Sequence, residues 1–178
     1  MANHDVDNLM KRIALGDLTA LETLYGEMSR PVYFFALRLL GDPDAAEDVM
    51  QDTFVSVMRN SGSYKSDGKG KSWIFTIAKH KAADELRRKK AEPLEDAPES
   101  AAAAPDFSEK SDEKISALKM LDILDKKERD IVMLRLLGEM TLTQVAKELD
   151  MPKGTVFWSY NNAVKKLRNH FKGGENDD

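Results

Sequence analysis

The sequence predicts an all-α protein, in which two small helical domains are joined by a flexible acidic linker. Apolar residues recur at helical spacing through most of the chain, and no segment of any length alternates as a strand would. Residues 91–113 are instead rich in Ala, Pro, Ser and acidic residues, with few large apolar groups to offset the entropy of ordering. In a chain of 178 residues, the segments on either side are each long enough for a modest core.

The first domain begins with helices whose ends carry recognisable signals. Asp17 is expected to cap a helix that starts with LTALETLYGEM. Pro31 is expected to kink or restart this helix, because a mid-helix proline loses a hydrogen bond and clashes with the preceding turn. The helical pattern then continues to Gly41, and Asp42-Pro43 predicts a cap followed by proline at the first helical position. The next helix has an apolar stripe of Ala46, Val49, Met50, Phe54, Val57 and Met58.

The second domain is predicted to start near Lys114 and to contain a helix-turn-helix. KISALKMLDIL and KERDIVMLRLL are expected helices, and the second of them ends at Gly138. Thr141 and Gln144 match a capping box for a short helix, which Pro152 ends. A longer helix to about Phe171 completes the pattern, and residues 173–178 are expected to be disordered. The apolar face of this last helix is Val156, Tyr160, Ala163, Val164, Leu167 and Phe171.

The composition argues against several function classes. Without cysteine the chain has no disulfide, thiolate metal site or thiol switch of its own. The three histidines are scattered, and no nucleophile motif or phosphate loop is visible, so we expect no catalytic residue, metal or cofactor. The N-terminus lacks the apolar core of a signal peptide, and no run reaches the roughly 18 residues of a membrane span. We therefore expect a cytoplasmic protein that does not insert into the membrane.

Charge is divided unevenly along the chain. Residues 91–113 carry one base and eight acids, whereas residues 65–90 carry nine bases and three acids. The basic run suits phosphate binding through counterion release, although a solvated basic helix face is the simpler alternative. Within it, Trp73 is expected to belong to the core. The preceding helix, DPDAAEDVMQDTF, has acids and no base, which suits either its helix dipole or a basic protein partner.

Two motif sets resemble one protein family. DAAEDVMQDTF followed by WIFTIAKHKAADELRR resembles the second domain of bacterial extracytoplasmic-function sigma factors, and LDKKERDIVMLRLLGEMTLTQVAKELDMPKGTV resembles their fourth domain. The resemblance implies a subunit that binds RNA polymerase core and directs promoter recognition, DNA melting and transcription initiation. It implies a region 2-like domain over 1–90, a linker over 91–113, a region 4-like domain over 114–172 and a tail over 173–178.

The resemblance also implies roles for residues of the first domain. The acidic helix of the family docks on the clamp helices of the polymerase, which maps onto Asp44, Glu47, Asp48, Gln51, Asp52 and Phe54, of which Phe54 is also a core candidate. The following loop and basic helix bind the minus-ten element, which maps onto Tyr64, Lys69, Lys71, Lys79, His80, Arg87 and Arg88. Tyr64 is the candidate aromatic wall of a pocket for a flipped base. His80 replaces the asparagine usual in relatives, which leaves the preferred base open.

The recognition helix of the second domain departs from its relatives. The implied minus-thirty-five contacts are Lys153, Thr155, Phe157, Trp158, Ser159, Asn161, Asn162, Lys165, Lys166 and Arg168. Phe157, Ser159 and Asn162 stand at three positions that are usually basic, so we predict a different sequence preference and weaker phosphate contact. Asn161 or Asn162 is suited to adenine, and Phe157 to a thymine methyl group. Trp158 is a candidate contact for DNA, the polymerase flap or an inhibitor, or it packs within the protein.

Two other classes of protein remain open at this point. A stand-alone helix-turn-helix regulator would account for residues 114–172 but would leave the acidic helix unused. A protein-interaction module is the second alternative, since an anti-sigma factor usually holds members of the family inactive. The linker is expected to pass near the polymerase active-site cleft, where its acidity would mimic RNA.

Overall fold

A computed structural model describes residues 2–65, 67–91 and 120–174, with side chains described as far as residue 171. The Cα positions divide into two compact units, Met1–Asp106 and Phe107–Asp178. The described residues are helical with no strand, as predicted. The predicted linker lies outside them apart from Ala91, which ends a helix. The elements are α1 Asn3–Ala14, α2 Leu18–Leu40, α3 Pro43–Asn60, a 3₁₀ turn Ser61–Ser63, α4 Gly70–Ala91, a second 3₁₀ turn Met120–Ile123, α5 Lys126–Leu136, α6 Leu142–Glu148 and α7 Lys153–Gly174.

Helix α1 was not predicted from the sequence. Its buried apolar residues are Val6, Leu9, Met10 and Ile13, which lie three or four positions apart and so share one face. Leu15 and Gly16 end the helix, and Gly16 has a φ of 86° that a residue with a side chain rarely adopts. The N-terminal segment is therefore part of the first unit and covers its core.

Helices α2 and α3 begin at the predicted caps. The Asp17 carboxylate accepts hydrogen bonds from the backbone N–H groups of Thr19 and Ala20. The pKa of Asp17 is lowered to about 2 by hydrogen bonds from the Thr19 hydroxyl, the Arg12 side chain and the Ala20 N–H. Asp42 caps α3 in the same way, through the N–H groups of Asp44 and Ala45. Both local predictions are confirmed.

Pro31 does not restart a helix, because α2 is one element from Leu18 to Leu40. Interior proline costs about 3 kcal/mol in an isolated helix. On either side of it, however, Met28, Val32 and Phe35 are buried, so packing of α2 against its neighbours outweighs the local cost. Phe35 lies edge-on against Phe75 of α4, with 5.2 Å between ring centroids, and this contact joins α2 to α4 inside the core.

The second unit contains the predicted helix-turn-helix, α6 and α7, supported by α5. Thr141 caps α6 through the Gln144 N–H, and the Gln144 side chain accepts the Thr141 N–H in return. Asp150, in the turn that follows, has a φ of 50°, a conformation that Asp adopts more readily than most residues. The core residues of the second unit include Ile131, Val132, Met133, Leu134, Val145, Ala146, Val156 and Ala163.

Several predicted details of these helices are wrong. Residues 120–123 form a 3₁₀ turn instead of the end of an α-helix, and residues 114–119 lie outside the described part. Met58 and Phe171 are 43% and 54% exposed, so each apolar stripe leaves the core at its last member. Helix α7 also continues through Gly173 and Gly174 of the expected tail, whose remaining residues are not described.

Candidate nucleic-acid interface

A pocket lies where the loop after α3 meets the start of α4. Its volume is ≈ 350 Å³, within the range of about 300–1,000 Å³ typical of ligand sites. The rings of Tyr64 and Trp73 stand 5.4 Å apart between centroids, inclined at 42°. Trp73 is half-buried and lines the pocket, so it is not solely a core residue as expected. The lining residues are Ser63, Tyr64, Lys65, Asp67, Lys69, Ser72, Trp73 and Thr76.

The Tyr64 hydroxyl is held by two hydrogen bonds. It donates to Asp7 Oδ1 at 2.7 Å and accepts the Lys69 N–H at 3.0 Å. Burial raises the pKa of Tyr64, and the hydrogen bond to Asp7 raises it further, so the phenol stays protonated and keeps donating. The aromatic wall is thereby fixed from behind, while its ring borders the pocket. Asp7 was absent from the sequence-based site, because nothing local relates it to a loop almost sixty residues away.

The predicted minus-ten residues on α4 take different environments. Lys69, His80, Arg87 and Arg88 are exposed, whereas Lys71 and Lys79 are half-buried. Lys69 pairs with Asp67, and Arg87 and Arg88 pair with Asp84 and Glu85 at 2.9 Å and 2.8 Å. The Arg87–Asp84 pair is exposed on both sides and weak in water, so Arg87 can exchange it for phosphate, whereas Arg88 holds the half-buried Glu85 through two hydrogen bonds. The hydrogen bond from Arg88 lowers the pKa of Glu85, and that from Lys69 lowers the pKa of Asp67.

The predicted docking acids lie on the outer side of α3. Asp44, Asp48, Gln51 and Asp52 are exposed, and Gln51 donates to the half-buried Glu47 at 3.1 Å. Phe54 is 5% exposed and its ring lies 4.9 Å from that of Tyr25, so it is a core residue first. Asp52 also pairs with Lys81 of α4 at 3.4 Å.

An apolar groove runs between α2 and α3 beside these acids. It has a volume of ≈ 410 Å³. Leu18 is 70% exposed, and Tyr25, Val55 and Met58 are exposed as well. Helical spacing had placed Met58 in the apolar stripe of α3, and spacing alone does not separate a core stripe from an exposed apolar edge. The lining residues are Leu18, Leu21, Glu22, Tyr25, Gln51, Phe54, Val55 and Met58.

The outer face of α7 is aromatic at its first two turns. Phe157 and Trp158 are 46% and 70% exposed, and Asn161 is exposed one turn later. Lys153, Lys165 and Arg168 are exposed too, and Thr155 is half-buried. These residues remain candidates for contact with DNA, because a recognition helix presents its N-terminal turns to the major groove.

Three of the predicted α7 residues are buried or bonded within the protein. Ser159 is 2% exposed, since it lies on the face of Val156 and Ala163. Asn162 donates its amide N–H to Glu128 Oε1, and Lys166 donates to Glu128 Oε2 at 2.7 Å. Glu128 itself is 2% exposed, at the start of α5. Its carboxylate thus joins α7 to α5, and of the three predicted contacts only Ser159 is buried too deeply to reach DNA.

Neither a metal-ligand cluster nor a membrane-spanning helix occurs in the part of the chain that the structure describes. Across residues 2–65, 67–91 and 120–174, no three His, Asp or Glu side chains gather as metal ligands would. None of the helices described is both long enough and apolar enough to span a membrane.

Comparison with known proteins identifies the two units. Residues 24–92 match the family model Sigma-70 region 2, and residues 120–169 match Sigma-70, region 4. The ECF RNA polymerase sigma factor SigK of Mycolicibacterium vanbaalenii is 27% identical over 172 residues, covering 92% of this chain and 88% of that protein. SigK of Mycobacterium tuberculosis is 26% identical over 173 residues, with coverage of 93% and 92%.

A solved structure shares the fold. CnrH, solved in complex with the cytosolic domain of CnrY, has a TM-score of 0.60 at 19% identity, covering 95% of this chain and 98% of that one. Regions 2 and 4 in this order define a transcription initiation subunit of the sigma-70 type, a class without enzymatic activity. The chain belongs to the extracytoplasmic-function sigma factors. It therefore acts with RNA polymerase on promoter DNA.

Proposed function

We propose that this sigma factor opens promoters by taking one base of the non-template strand into the Tyr64–Trp73 pocket. The carrying observation is the pocket itself, which has two aromatic walls and lies at the start of the basic helix α4. Single-strand binders combine aromatic surfaces for bases with cations for phosphates, and both occur here together. Lys69, His80, Arg87 and Arg88 are exposed to meet the backbone of the strand, with Lys71 and Lys79 partly so.

We propose that α3 and the neighbouring groove dock on the clamp helices of RNA polymerase core. Asp44, Asp48 and Asp52 supply an acidic edge, and the groove beside them supplies an apolar centre with exposed Leu18. An apolar centre with a charged rim is the usual anatomy of a protein interface. Phe54 contributes from below, as part of the groove floor.

Helix α7 reads the minus-thirty-five element in this proposal. Its outer face offers Asn161 for adenine and Phe157 for a thymine methyl group, and Trp158 extends the apolar surface. Lys153, Lys165 and Arg168 are placed for phosphates, with Thr155 at the first turn. With few guanine-reading cations on the first two turns, the preferred element is rich in A·T pairs.

Inhibition by a partner protein fits the same surfaces. CnrH was solved as a complex with the cytosolic domain of CnrY. We propose that an anti-sigma factor holds this chain too and competes with the polymerase for the exposed edge of the groove.

A sigma factor works where the polymerase and the chromosome are, so we propose a cytoplasmic location for this chain. If both proteins bind the groove, Leu18→Asp should weaken binding of RNA polymerase core and of the anti-sigma factor. Binding assays with each purified protein measure this.

Run-off transcription tests the proposed function. The purified chain is added to bacterial core polymerase with a library of genomic fragments, and transcript starts are mapped. We expect defined new start sites, lost with Asp48→Lys on α3 and retained with the matched reversal Glu27→Lys at an exposed position of α2. No transcripts, together with tight duplex binding by the chain alone, would contradict the proposal and favour a stand-alone regulator.

A further inference from the structure

The Asp7 side chain of α1 is buried beneath the pocket and receives three hydrogen bonds from the loop around it. Its exposed fraction is 5%. Oδ1 accepts from the Tyr64 hydroxyl at 2.7 Å and from the Gly70 N–H at 3.0 Å, and Oδ2 accepts from the Gly68 N–H at 2.7 Å. A buried carboxylate with this many donors fixes each of them strongly, because charge-assisted hydrogen bonds are the stronger class.

Helix α1 also caps α4, the helix that carries the pocket's second wall. The first backbone N–H groups of a helix lack partners within it. At the start of α4, the Gly70 N–H is accepted by Asp7 Oδ1 and the Lys71 N–H by Asn3 Oδ1, both at 3.0 Å. A carboxylate at this end also suits the helix dipole. The start of α4 is therefore set by a helix more than sixty residues away in sequence.

Gly70 brings the two helices into direct contact. A Cβ atom at this position would lie 2.5 Å from Val6 Cγ1 and 2.9 Å from Asp7 Oδ1, closer than real Cβ atoms approach. Only glycine lets the α4 backbone come this near to α1. Hydrogen bonds, helix capping and close approach thus converge on one junction behind the pocket.

We infer that Asp7 is a positioning residue for base capture, holding Tyr64 and the first turn of α4 so that the pocket exists before DNA arrives. The inference rests on the proposed role of the Tyr64–Trp73 pocket. Asp7 acts through the Tyr64 hydroxyl and the loop backbone, whereas the aromatic rings form the walls. A pocket organised in advance binds more tightly, because less ordering remains to be done on binding.

The test measures binding of single-stranded minus-ten oligonucleotides to holoenzyme reconstituted with core polymerase. Fluorescence anisotropy gives the affinity of the intact strand and of strands with one abasic nucleotide at successive positions. The captured base is the position where its removal weakens wild type most. Asp7→Ala should weaken the intact strand about tenfold, as expected for removing a charged hydrogen-bond acceptor, and the strand lacking the captured base at most about twofold.

Two further variants separate positioning from simple loss of structure. Asp5→Asn, an exposed acid on the same helix, is the matched control and should bind like wild type. Tyr64→Phe keeps the ring and removes the hydroxyl, together with its bonds to Asp7 and from the Lys69 N–H, and should weaken the intact strand about threefold. Affinity for core polymerase should stay within about twofold for Asp7→Ala, since the docking face lies on α3.

The outcomes distinguish this inference from the function on which it rests. An equal loss on intact and abasic strands, or a matching loss of core affinity, would overturn the role of Asp7 and indicate general destabilisation. A wild-type protein indifferent to every abasic position would overturn base capture itself. A tenfold loss confined to strands that carry the captured base would establish the positioning role.

Discussion

The two candidate DNA-binding helices, α4 and α7, differ in what a buried acid does beneath them. At the start of α4, Asp7 accepts two backbone N–H groups and a phenol. Under α7, Glu128 accepts an amide and an ammonium from the helix itself, Asn162 and Lys166. The same kind of buried carboxylate therefore binds backbone N–H groups at the start of the helix in one unit and polar side chains of the helix in the other.

This difference predicts two modes of binding. The outer surface of α4 keeps Arg87 and Arg88, and the exposed ion pair of Arg87 with Asp84 is easily exchanged for phosphate. The first turns of α7 present Phe157, Trp158 and Asn161, which suit base edges more than phosphates. Binding through α4 should depend on salt, and binding through α7 on the chemical groups of particular bases.

Removing the Glu128 carboxylate should have the largest effect, which is on the stability of the second unit. Glu128→Ala deletes the shared acceptor of Asn162 and Lys166 and one half of the α5 capping box, so it should destabilise the second unit by about 3 kcal/mol. Hydrogen exchange of α5 amides measures this, because two units need not unfold together. Unchanged protection in α5 would show that the cluster contributes little; α3 amides serve as the internal control.

Adjacent asparagines offer a matched pair on α7. Asn161→Ala should weaken duplex binding to the selected minus-thirty-five element by about 1–3 kcal/mol, because an exposed amide that reads adenine is lost. Asn162→Ala should leave duplex affinity nearly unchanged and lower stability by about 1 kcal/mol, since its amide faces Glu128. Binding by holoenzyme and thermal unfolding are measured for both. Equal losses of affinity would disprove the inward assignment.

Replacing thymine by uracil isolates the proposed contact of Phe157. Uracil lacks only the methyl group, so wild type should lose about 0.8 kcal/mol at the contacted position, the value of one buried carbon. Phe157→Ala should make the two bases equivalent there. The measurement is competition binding with duplexes substituted one position at a time. A methyl effect that survives in the variant would assign recognition to another side chain, and Trp158→Ala is then the next comparison.

The salt dependence of DNA binding should distinguish α4 from α7. Arg87→Gln should reduce the slope of log affinity against log salt by about 0.7 for single-stranded minus-ten DNA, the contribution of one neutralised phosphate. Phe157→Ala should leave the slope for duplex DNA unchanged. Both slopes come from titrations between low and moderate salt. An unaltered slope for Arg87→Gln would mean that its pair with Asp84 persists on DNA.

The smallest effect concerns the join between α3 and α4, where Lys89 pairs with Asp42. The hydrogen bond from Lys89 holds the pKa of Asp42 below its ordinary 3.8, so the charge stabilises the fold above that pH and stops doing so as pH falls below it. Asp42→Asn can still cap α3. It should lower the free energy of unfolding by about 0.5 kcal/mol at pH 7, and by almost nothing at a pH below the pKa of Asp42 in the folded protein. Urea unfolding of both proteins across this range is the measurement; a difference independent of pH would rule out the charge.

Local signals were the part of the fold that the sequence could predict. The caps Asp17, Asp42 and Thr141 depend on residues two or three positions away, so spacing alone revealed them. The helix-turn-helix followed from the same kind of signal. The helix restart expected at Pro31 was wrong, because the packing of Val32 and Phe35 within the core keeps α2 continuous and cannot be read from neighbouring residues.

The site was predictable only where a residue's surroundings lie on its own helix. Ser159 shares a face with Val156 and Ala163, so its burial could have been read from helical spacing. No such signal marked Asn162 and Lys166, whose partner is on α5, or Asp7, whose partners follow α3. Side-chain types identified the aromatic and basic surface of the pocket, whereas its supporting shell depended on contacts between helices.

The junction of α1 with α4 also sets an order of events during synthesis. Asp7 is made 63 residues before Gly70, which at about 5–20 residues per second is a delay of about 3–13 seconds. Contacts among α2, α3 and α4 close shorter loops and are expected to form more readily than this one. The acceptor that completes the pocket is thus among the first residues translated, and its bond to Gly70 is expected to form after the contacts among α2, α3 and α4.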